Sequence, residues 1–264
     1  MEQIDTLKNG YKIIQNTEAF MFGIDAVLLA DFVSGCIKAQ DKIIDLGTGN
    51  GIIPLLLSAK NNQNNQNNQN NQNNLNENAS MQNLIMGLEI QQGAVELATR
   101  SVKLNGLQDK ITIINGDLTK TNDFAGKYGL AKHGFEIVTC NPPYSVVESG
   151  KQSSGDAKAI ARHEVLCTLE NVVAAADFLL KPHGKFFMIH RPYRLAEIFG
   201  ALYHHHLETK RMRLVSPFAG EEPNMVLIEA RKNAKPRLKL EPELVVYEKA
   251  GIYTKQIKEI YGDF

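Results

Sequence analysis

Short apolar runs alternate with helical patterns between residues 42 and 190, and this alternation limits the possible folds more than any other feature of the sequence. A buried strand followed by a helix-length segment is typical of chains that return to the same sheet in a parallel direction, with helices on both faces. The alternation therefore predicts an α/β fold. The predicted strands are Lys42–Leu46, Leu84–Glu89, Ile111–Asn115, Phe135–Cys140 and Gly184–His190, and the predicted helices include Ile52–Lys60, Gln91–Asn105 and Leu169–Leu180.

The pattern changes after His190. A helical stretch at Arg194–Tyr203 precedes two alternating apolar runs, Leu207–Ser216 and Asn224–Arg231, which a turn-rich segment separates. Such a pair is typical of an antiparallel hairpin. We therefore predict one domain over residues 1–264, with a Rossmann-like seven-stranded sheet that is mostly parallel, an antiparallel C-terminal strand and helices on both faces.

Composition narrows the class of protein. Lysine plus arginine equals aspartate plus glutamate at 29 each, so any binding of nucleic acid has to come from a local patch of charge. Three widely spaced cysteines, Cys36, Cys140 and Cys167, are typical of reduced core thiols. The N-terminus has no signal-peptide pattern, and no apolar run approaches the roughly 20 residues that span a bilayer. We expect a soluble, cytoplasmic protein that contacts no membrane, and the sequence gives no sign of an obligate protein partner.

Two segments interrupt the regular pattern. Residues 61–74 consist only of Asn and Gln, which cannot bury apolar area. We predict a disordered Asn/Gln-rich loop insertion over residues 61–80, between the first helix and the second strand. Residues 145–156 are rich in Ser and Gly and are predicted to form a mobile substrate lid.

A glycine-rich turn, Asp45-Leu46-Gly47-Thr48-Gly49-Asn50-Gly51, follows the first predicted strand. Its glycines permit a tight turn and close approach of the backbone to a ligand. A dinucleotide fingerprint would have its third glycine one position later and would place a pyrophosphate at the helix start. The carboxylate of Asp45, the first residue of this turn, repels a pyrophosphate and suits a positively charged sulfonium or ammonium group.

Two further acids end the next two strands. Glu89 can accept hydrogen bonds from both hydroxyls of a ribose, and Asp117 can accept one from the amino group of adenine. Together with Asp45, Gly47 and Gly49 they predict a site for S-adenosyl-L-methionine rather than for a nicotinamide dinucleotide.

The motif Asn141-Pro142-Pro143-Tyr144 follows the fourth predicted strand. The prolines lack backbone donors and fix the turn, so the side-chain oxygen of Asn141 and the carbonyl of Pro142 are available as acceptors. Tyr144 adds a flat ring, and we predict that both Pro143 and Tyr144 contact the substrate. Two acceptors beside an aromatic ring suit a planar group that carries an NH2, which predicts methylation of an amino nitrogen without a metal.

Taken together, these motifs resemble those of the class I S-adenosylmethionine-dependent methyltransferases, over nearly the whole chain. More narrowly, the chain resembles the bacterial tRNA1(Val) adenine-37 N6-methyltransferases. The segments that carry this narrower resemblance are residues 20–30, Arg162-His163-Glu164 and residues 223–230. The resemblance implies N6-methylation of A37 in a tRNA partner.

It also implies that an N-terminal segment, residues 1–40, covers the cofactor through contacts of Phe22 and Asp25. Asn141 is a further predicted cofactor contact. His163 is a predicted substrate contact, with a packing or capping role as the alternative.

Related families leave other substrates open. Release-factor glutamine methyltransferases share the Asn-Pro-Pro-Tyr motif but carry a sizeable helical domain before the cofactor turn, and ribosomal guanine-N2 methyltransferases often carry a duplicated domain. A non-catalytic RNA-binding module on the same scaffold is the alternative from another class.

Basic residues near the C-terminus are the candidate RNA contacts. Residues 232–264 are predicted to form a basic extension, in which Lys235 and Arg237 bind the substrate, although a solvated charge run explains them equally well. Consecutive imidazoles at residues 204–206 cannot all face one ion from a regular helix or strand, so we predict no metal site there. The remaining basic residues of the candidate surface are Lys210, Arg211, Arg213, Arg231, Lys232 and Lys239.

Overall fold

The structure is a computed structural model that describes residues 1–18, 21–59, 84–142 and 167–262. Its strands are β1 Glu2–Thr6, β2 Lys12–Asn16, β3 Lys42–Leu46, β4 Leu84–Glu89, β5 Ile111–Asn115, β6 Phe135–Cys140, β7 Leu180–His190, β8 Leu207–Ser216, β9 Met225–Lys232, β10 Lys239–Leu240, β11 Leu244–Val245, β12 Tyr247–Lys249 and β13 Ile252–Tyr253. Its helices are α1 Ile24–Ser34, α2 over residues 52–59, α3 Gln92–Leu104, α4 Asp123–Lys127, α5 Leu169–Leu179, α6 Leu195–His204 and α7 Lys255–Gly262.

The central sheet has the strand order β10-β8-β9-β7-β6-β3-β4-β5, and β11 also pairs with β8. Strands β7, β6, β3, β4 and β5 are mutually parallel, whereas β9 is antiparallel to both of its neighbours, β7 and β8. The predicted α/β fold is therefore confirmed. The two-residue strands β10 and β11 extend the edge beyond the predicted seven, so the sheet has nine strands in the described part of the chain.

Alternating side chains along the central strands enter two separate apolar layers. In β3, Ile43 faces the layer that contains α1, α2 and α7, and Ile44 faces the layer that contains α5 and α6. Period-two alternation with both faces covered is the usual condition of a parallel sheet. Each fully buried large apolar side chain contributes about 1.5–3 kcal/mol. The predicted helices on both faces are therefore present.

Strand β7 begins four residues before the predicted start at Gly184. Phe135 of β6 pairs with Leu180, and the register then shifts before Ile137 pairs with Lys185. His183, within the irregular stretch, has a φ of +64°. Proline and glycine in this stretch are strand-breaking signals in a sequence, but the bulge accommodates them.

The N-terminal hairpin β1–β2 lies along α3, which the sequence did not predict. The backbone N–H of Ile14 donates to Ser101 Oγ at 2.9 Å. The side chain of Asn105 accepts from the backbone N–H of Lys12 at 2.7 Å and donates to its carbonyl at 2.6 Å. These bonds satisfy one edge of β2 with groups from a helix. Covering of a cofactor by residues 1–40 stays a prediction.

The C-terminal segment is part of the core as well as carrying basic residues. Leu244, Val246, Ile257 and Ile260 are buried in the same layer as α1. The rings of Tyr247, Tyr253 and Tyr261 stack in a row, with centroids 5.2 and 5.3 Å apart. The described part of the predicted basic extension therefore contributes to the fold.

Several predictions fall on positions outside the described residues. These are the Asn/Gln-rich loop at 61–80, the lid at 145–156, and the individual residues Pro143, Tyr144 and His163. Within the described ranges, no helix combines the length and apolar character that a membrane crossing needs.

Candidate active site

The carboxyl ends of four neighbouring parallel strands bring the predicted site residues together. In the order of the sheet, Asn141 follows β6, Asp45 lies in β3, Glu89 ends β4 and Asp117 follows β5. Neighbouring strands lie about 4.8 Å apart, so these four strand ends fall within roughly 15 Å. The strand-end positions predicted for Asp45, Glu89, Asp117 and Asn141 thus form one continuous row.

Asp45 is completely buried at the centre of this row. Thr139, its partner across β6, donates a hydrogen bond from Oγ1 to Asp45 Oδ1 at 2.6 Å. Among the described residues, Asp45 Oδ2 has no hydrogen-bond partner. Burial raises the pKa of Asp45 to about 7, against the opposing effects of the nearby Thr139 and Thr48 hydroxyls. A positively charged ligand at this carboxyl would favour its ionised form.

The glycine turn leaves open space beside Asp45. Gly47 and Gly49 have φ values of +67° and +56°, and a Cβ on either would meet no atom within 4 Å. The Thr48 hydroxyl is buried and, within the described ranges, has no hydrogen-bond partner. A buried hydroxyl and a buried carboxylate oxygen without partners are the groups that a polar ligand would satisfy. The turn therefore has both the room and the chemistry for a cofactor.

Glu89 is held by the backbone on both sides of its carboxylate. Its Oε2 accepts from the N–H of Gly49 at 2.9 Å, and its Oε1 accepts from the N–H of Gln91 at 2.9 Å. Each carboxylate oxygen can accept a second bond. The side chain is only 5% exposed, so it presents fixed acceptors next to the glycine turn.

Asp117 is fixed by a local turn at the end of β5. Its Oδ1 accepts from the N–H and the hydroxyl of Thr119, at 2.9 and 2.7 Å, while Lys120 Nζ lies 3.8 Å from Oδ2. The Asn115 side chain donates to the carbonyls of Glu89 and Ile90, each at 3.1 Å. This bridge holds the ends of β4 and β5 together, and no pattern in the sequence predicts it.

Asn141 contacts a residue that was predicted to touch the cofactor. Its Nδ2 donates to Asp25 Oδ2 at 3.0 Å, across 116 positions of sequence. Asp25 is 8% exposed, and its Oδ1 accepts from the N–H of Ala26 at 3.0 Å. Phe22, the other residue predicted from the N-terminal segment, packs partly buried against the apolar layer of α1.

Gln15 of β2 is a site-supporting residue that the sequence analysis missed. Its Oε1 accepts from the N–H of Phe22 at 3.1 Å and from Asn50 Nδ2 at 3.2 Å. It thereby links the N-terminal hairpin both to the start of α1 and to the glycine turn. The signal in the sequence is weak, because the glutamine follows the two isoleucines of a strand that also contains Lys12 and Asn16. Thr139 gives a similar signal, as a hydroxyl within the apolar run of β6.

The segment after β7 lies next to the end of β6. His190 is 1% exposed, and burial lowers its pKa to about 4, an effect that Arg194 reinforces. The N–H of Arg191 donates to His190 Nδ1 at 2.7 Å, so the neutral imidazole carries its proton on Nε2. Tyr193 is 69% exposed beside this edge. No role was predicted for this segment.

The predicted basic surface divides into two groups. Arg211 contacts Glu229 at 2.9 Å and Glu241 at 3.2 Å, and its guanidinium lies 3.9 Å from the centroid of the Phe32 ring. Lys232 is buried and pairs with Asp177 at 2.7 Å. These two cations act within the fold. The exposed cations of the predicted surface are Lys235, Arg237 and Lys239, whereas Lys210, Arg213 and Arg231 are, like Arg211, partly buried.

Two of the three consecutive histidines face one carboxylate. His204 Nδ1 and His205 Nε2 lie 3.0 and 2.7 Å from Glu170 Oε1. Helix α6 ends at His204, and the backbone of His205 leaves the helix. Two adjacent rings can therefore turn toward the same group. The absence of a metal site here stays a prediction.

Comparison with known proteins finds methyltransferases that are similar over most of the chain. A protein of Porphyromonas gingivalis named tRNA1(Val) (adenine(37)-N6)-methyltransferase is 25% identical over 262 residues, which cover 96% of this chain and 92% of the relative. A protein of the same name from Dyadobacter fermentans is 24% identical over 248 residues, which cover 92% of this chain and 88% of the relative.

A crystal structure of a predicted O-methyltransferase from Agrobacterium tumefaciens has the same fold. It aligns with a TM-score of 0.68 and 21% identity, over 90% of this chain and 96% of that one. The profile of the N-6 DNA Methylase family matches residues 27–178, which include Asp45, Glu89, Asp117 and Asn141. Because this match extends over more than half of the sequence, the chain belongs to the N-6 DNA Methylase family.

Proposed function

We propose that the chain transfers a methyl group from S-adenosyl-L-methionine to the N6 amino group of an adenine in tRNA, with A37 of tRNA1(Val) as the target. The observation that carries the proposal is the row of side chains along one sheet edge, Asn141, Asp45, Glu89 and Asp117. An amine-binding residue beside three acids that suit a charged adenosyl cofactor is the arrangement that transfer to an amino nitrogen needs.

The residues of the row fit S-adenosyl-L-methionine. Glu89 offers fixed acceptors for the ribose hydroxyls, and Asp117 offers one for the adenine amino group. The unsatisfied oxygens of Asp45 and Thr48, among the described residues, suit the polar and positively charged end of the cofactor. When bound, this cofactor supplies an electrophilic methyl group on a positively charged sulfur.

Asn141 and Pro142 act on the substrate amine. The lone pair of an exocyclic adenine nitrogen is delocalised into the ring, so the nitrogen is a poor nucleophile. Acceptance of its two hydrogens by Asn141 Oδ1 and the Pro142 carbonyl orients the nitrogen and stabilises the positive charge that develops on it. Tyr144 stacks on a base that has left the stack of its neighbours, an interaction of about 1–3 kcal/mol.

The choice of tRNA rests on the names of the relatives, on an exposed ring near the site and on exposed charges farther along the sheet. Tyr193, on the segment next to β6, offers a ring for a neighbouring base. Lys235 and Arg237 offer charges for phosphates at the β10 edge of the sheet, four strands and roughly 19 Å from β6. The enzyme acts in the cytoplasm, where tRNA is available.

The proposal is tested by methylation of unmodified RNA. Total RNA from a strain that lacks the gene is incubated with the purified chain and labelled S-adenosyl-L-methionine, and the labelled nucleotide is then mapped. We expect N6-methyladenosine at position 37 of tRNA1(Val). Parallel reactions contain ribosomal RNA and a glutamine-containing release-factor peptide. Label at a guanine or a glutamine, with none in tRNA adenine, would overturn the proposal.

A further inference from the structure

The polar contact between α1 and the end of β6 defines the orientation of the Asn141 amide. An ionised carboxylate has only acceptor atoms, whereas a primary amide has a donor end and an acceptor end. The contact of 3.0 Å with Asp25 Oδ2 therefore requires the NH2 of Asn141 on that side. The geometry of an amide then turns Oδ1 to the opposite side.

The carboxylate is itself held in place. Asp25 lies in the first turn of α1, and its Oδ1 accepts the N–H of Ala26 at 3.0 Å. A Cβ on Gly23 would lie 2.9 Å from this oxygen, so the glycine leaves the room that the carboxylate needs. A negative charge at the start of a helix is also favoured by the helix dipole. The side chain has little freedom to rotate away.

We propose that Asp25 is a positioning residue for methyl transfer, which acts through Asn141 by keeping the amide oxygen available for the substrate amine. This inference rests on the proposed function, and it differs from the cofactor contact that the sequence led us to expect for Asp25. Without a purely accepting partner, the amide could turn its NH2 toward the substrate. Two NH2 groups cannot hydrogen-bond through their hydrogens, so that orientation is unproductive.

An exchange of the two side chains tests the polarity of this contact. Asp25→Asn removes the preference for one orientation and is expected to lower kcat by 10- to 100-fold, with KM for both substrates within threefold. Asn141→Asp places two carboxylates 3.0 Å apart and is expected to lose at least as much. In the double variant D25N/N141D, the new amide donates to the new carboxylate, which keeps a second oxygen for the amine.

We expect the double variant to recover at least tenfold in kcat over either single variant. Asp31→Asn, two turns later on α1, is the matched control and should stay within twofold of the unmodified protein. A double variant no more active than D25N would overturn the inference, because a purely structural role of Asp25 is not restored by a change at position 141. The comparison is made on whichever amine the unmodified protein methylates, so failure of the tRNA assignment is seen separately.

A second measurement does not depend on activity. The side-chain NH2 of Asn141, assigned by its loss in Asn141→Asp, can be observed by NMR. We expect its hydrogens to exchange with solvent at least tenfold more slowly in the unmodified protein than in Asp25→Asn. Equal exchange rates would show that the amide is not held by Asp25.

Discussion

Asp45 carries a cost in stability, and we propose that it also binds the cofactor. Its carboxyl is completely buried beside an acid, and burial raises its pKa from 3.8 to about 7. A folded-state pKa above the unfolded value means that the folded state binds the proton more tightly. Folding is therefore not penalised below pH 3.8, and the penalty grows as the pH rises toward 7. The residue thus destabilises the protein most at neutral and higher pH.

Replacement of Asp45 by Asn should show this cost directly. Asn keeps an acceptor for Thr139 but has no charge, so we expect a higher Tm than that of the unmodified protein at pH 8. The gain should shrink toward pH 4. The difference between 3.8 and about 7 corresponds to at most about 4 kcal/mol in the free energy of unfolding. Thermal unfolding from pH 4 to pH 8 measures it.

Asp109→Asn, at an exposed position, is the control, and its Tm should show no gain that grows from pH 4 to pH 8. In the same protein set, Asp45→Asn should weaken the binding of S-adenosyl-L-methionine. An equal Tm for Asp45→Asn and the unmodified protein at pH 8 would contradict the assigned cost.

Removal of the Asn141 side chain should separate catalysis from cofactor binding. We expect Asn141→Ala to lower kcat by at least 100-fold, the usual effect of losing a group that stabilises developing charge. The Kd for S-adenosyl-L-methionine should stay within about threefold, because Asp45, Glu89 and Asp117, which carry most of the proposed cofactor contacts, are unchanged. Single-turnover assays and calorimetry measure the two quantities. Loss of cofactor binding would show that the role given to Asn141 is wrong.

At the scale of elements, the glycine turn after β3 is packed against helix α3. Gly51 has a φ of +83°, and a Cβ there would lie 3.1 Å from Ala98 Cβ on α3. Gly49 has a φ of +56° but no atom within 4 Å of the same position. Both glycines therefore need a positive φ, but only Gly51 is in close contact with α3.

This difference predicts unequal effects of alanine. Gly51→Ala should destabilise the protein by about 1–3 kcal/mol more than Gly49→Ala, because only the first change overpacks an element interface. The double variant G51A/A98G should recover the stability that is lost to the clash with Ala98. It should not recover the stability that is lost because alanine disfavours a positive φ. Chemical denaturation of the unmodified protein, the two single variants and the double variant measures the free energy of unfolding of each. Equal losses for the two single variants would show that the contact with α3 does not limit the turn.

The elements differ in how well the sequence predicts them. Strands β3, β4, β5 and β6 begin and end at the predicted residues, because short buried runs bounded by polar and turn residues have sharp limits. The acids at their ends could be placed for the same reason. Helix α1 was not predicted, because it is apolar around its whole circumference and shows no helical period.

The contact between Asp25 and Asn141 could not be predicted either. It joins residues 116 positions apart, and it exists only because α1 packs beneath the sheet. Neither side chain has an unusual sequence context that indicates the other. Contacts of this kind follow from tertiary packing rather than from local pattern.

At the scale of the whole molecule, equal numbers of acidic and basic residues mean that RNA binding depends on where the charges lie. Lys235, Arg237 and Lys239 are exposed on the segment that pairs with β8. The cations at Arg211 and Lys232 are neutralised within the fold. Among the eight basic residues of the predicted surface, these three are therefore the exposed ones, which phosphates can reach.

Neutralisation of these three residues by Gln should weaken the binding of any tRNA to a similar degree. Each lost phosphate contact should reduce the slope of log Kd against log salt by about 0.7–0.9. Fluorescence anisotropy at several salt concentrations measures the slope. A control variant with the same change in charge carries Gln at Lys8, Lys103 and Lys110. If the slope of log Kd against log salt is unchanged in the variant of Lys235, Arg237 and Lys239, or changes equally in the control variant, these three residues do not form a specific RNA-binding patch.

Arg211 joins parts of the chain that are synthesised far apart in time. It donates to the carbonyl of Phe32 at the end of α1, and it also holds Glu229 in β9 and Glu241 beyond it. The same helix is covered by Ile257 and Ile260 of α7. During translation, the apolar helix α1 is synthesised early, but the residues of α7 that cover it are synthesised last. Until then its surface is exposed to chaperones and to aggregation, and a prematurely terminated chain would never cover it.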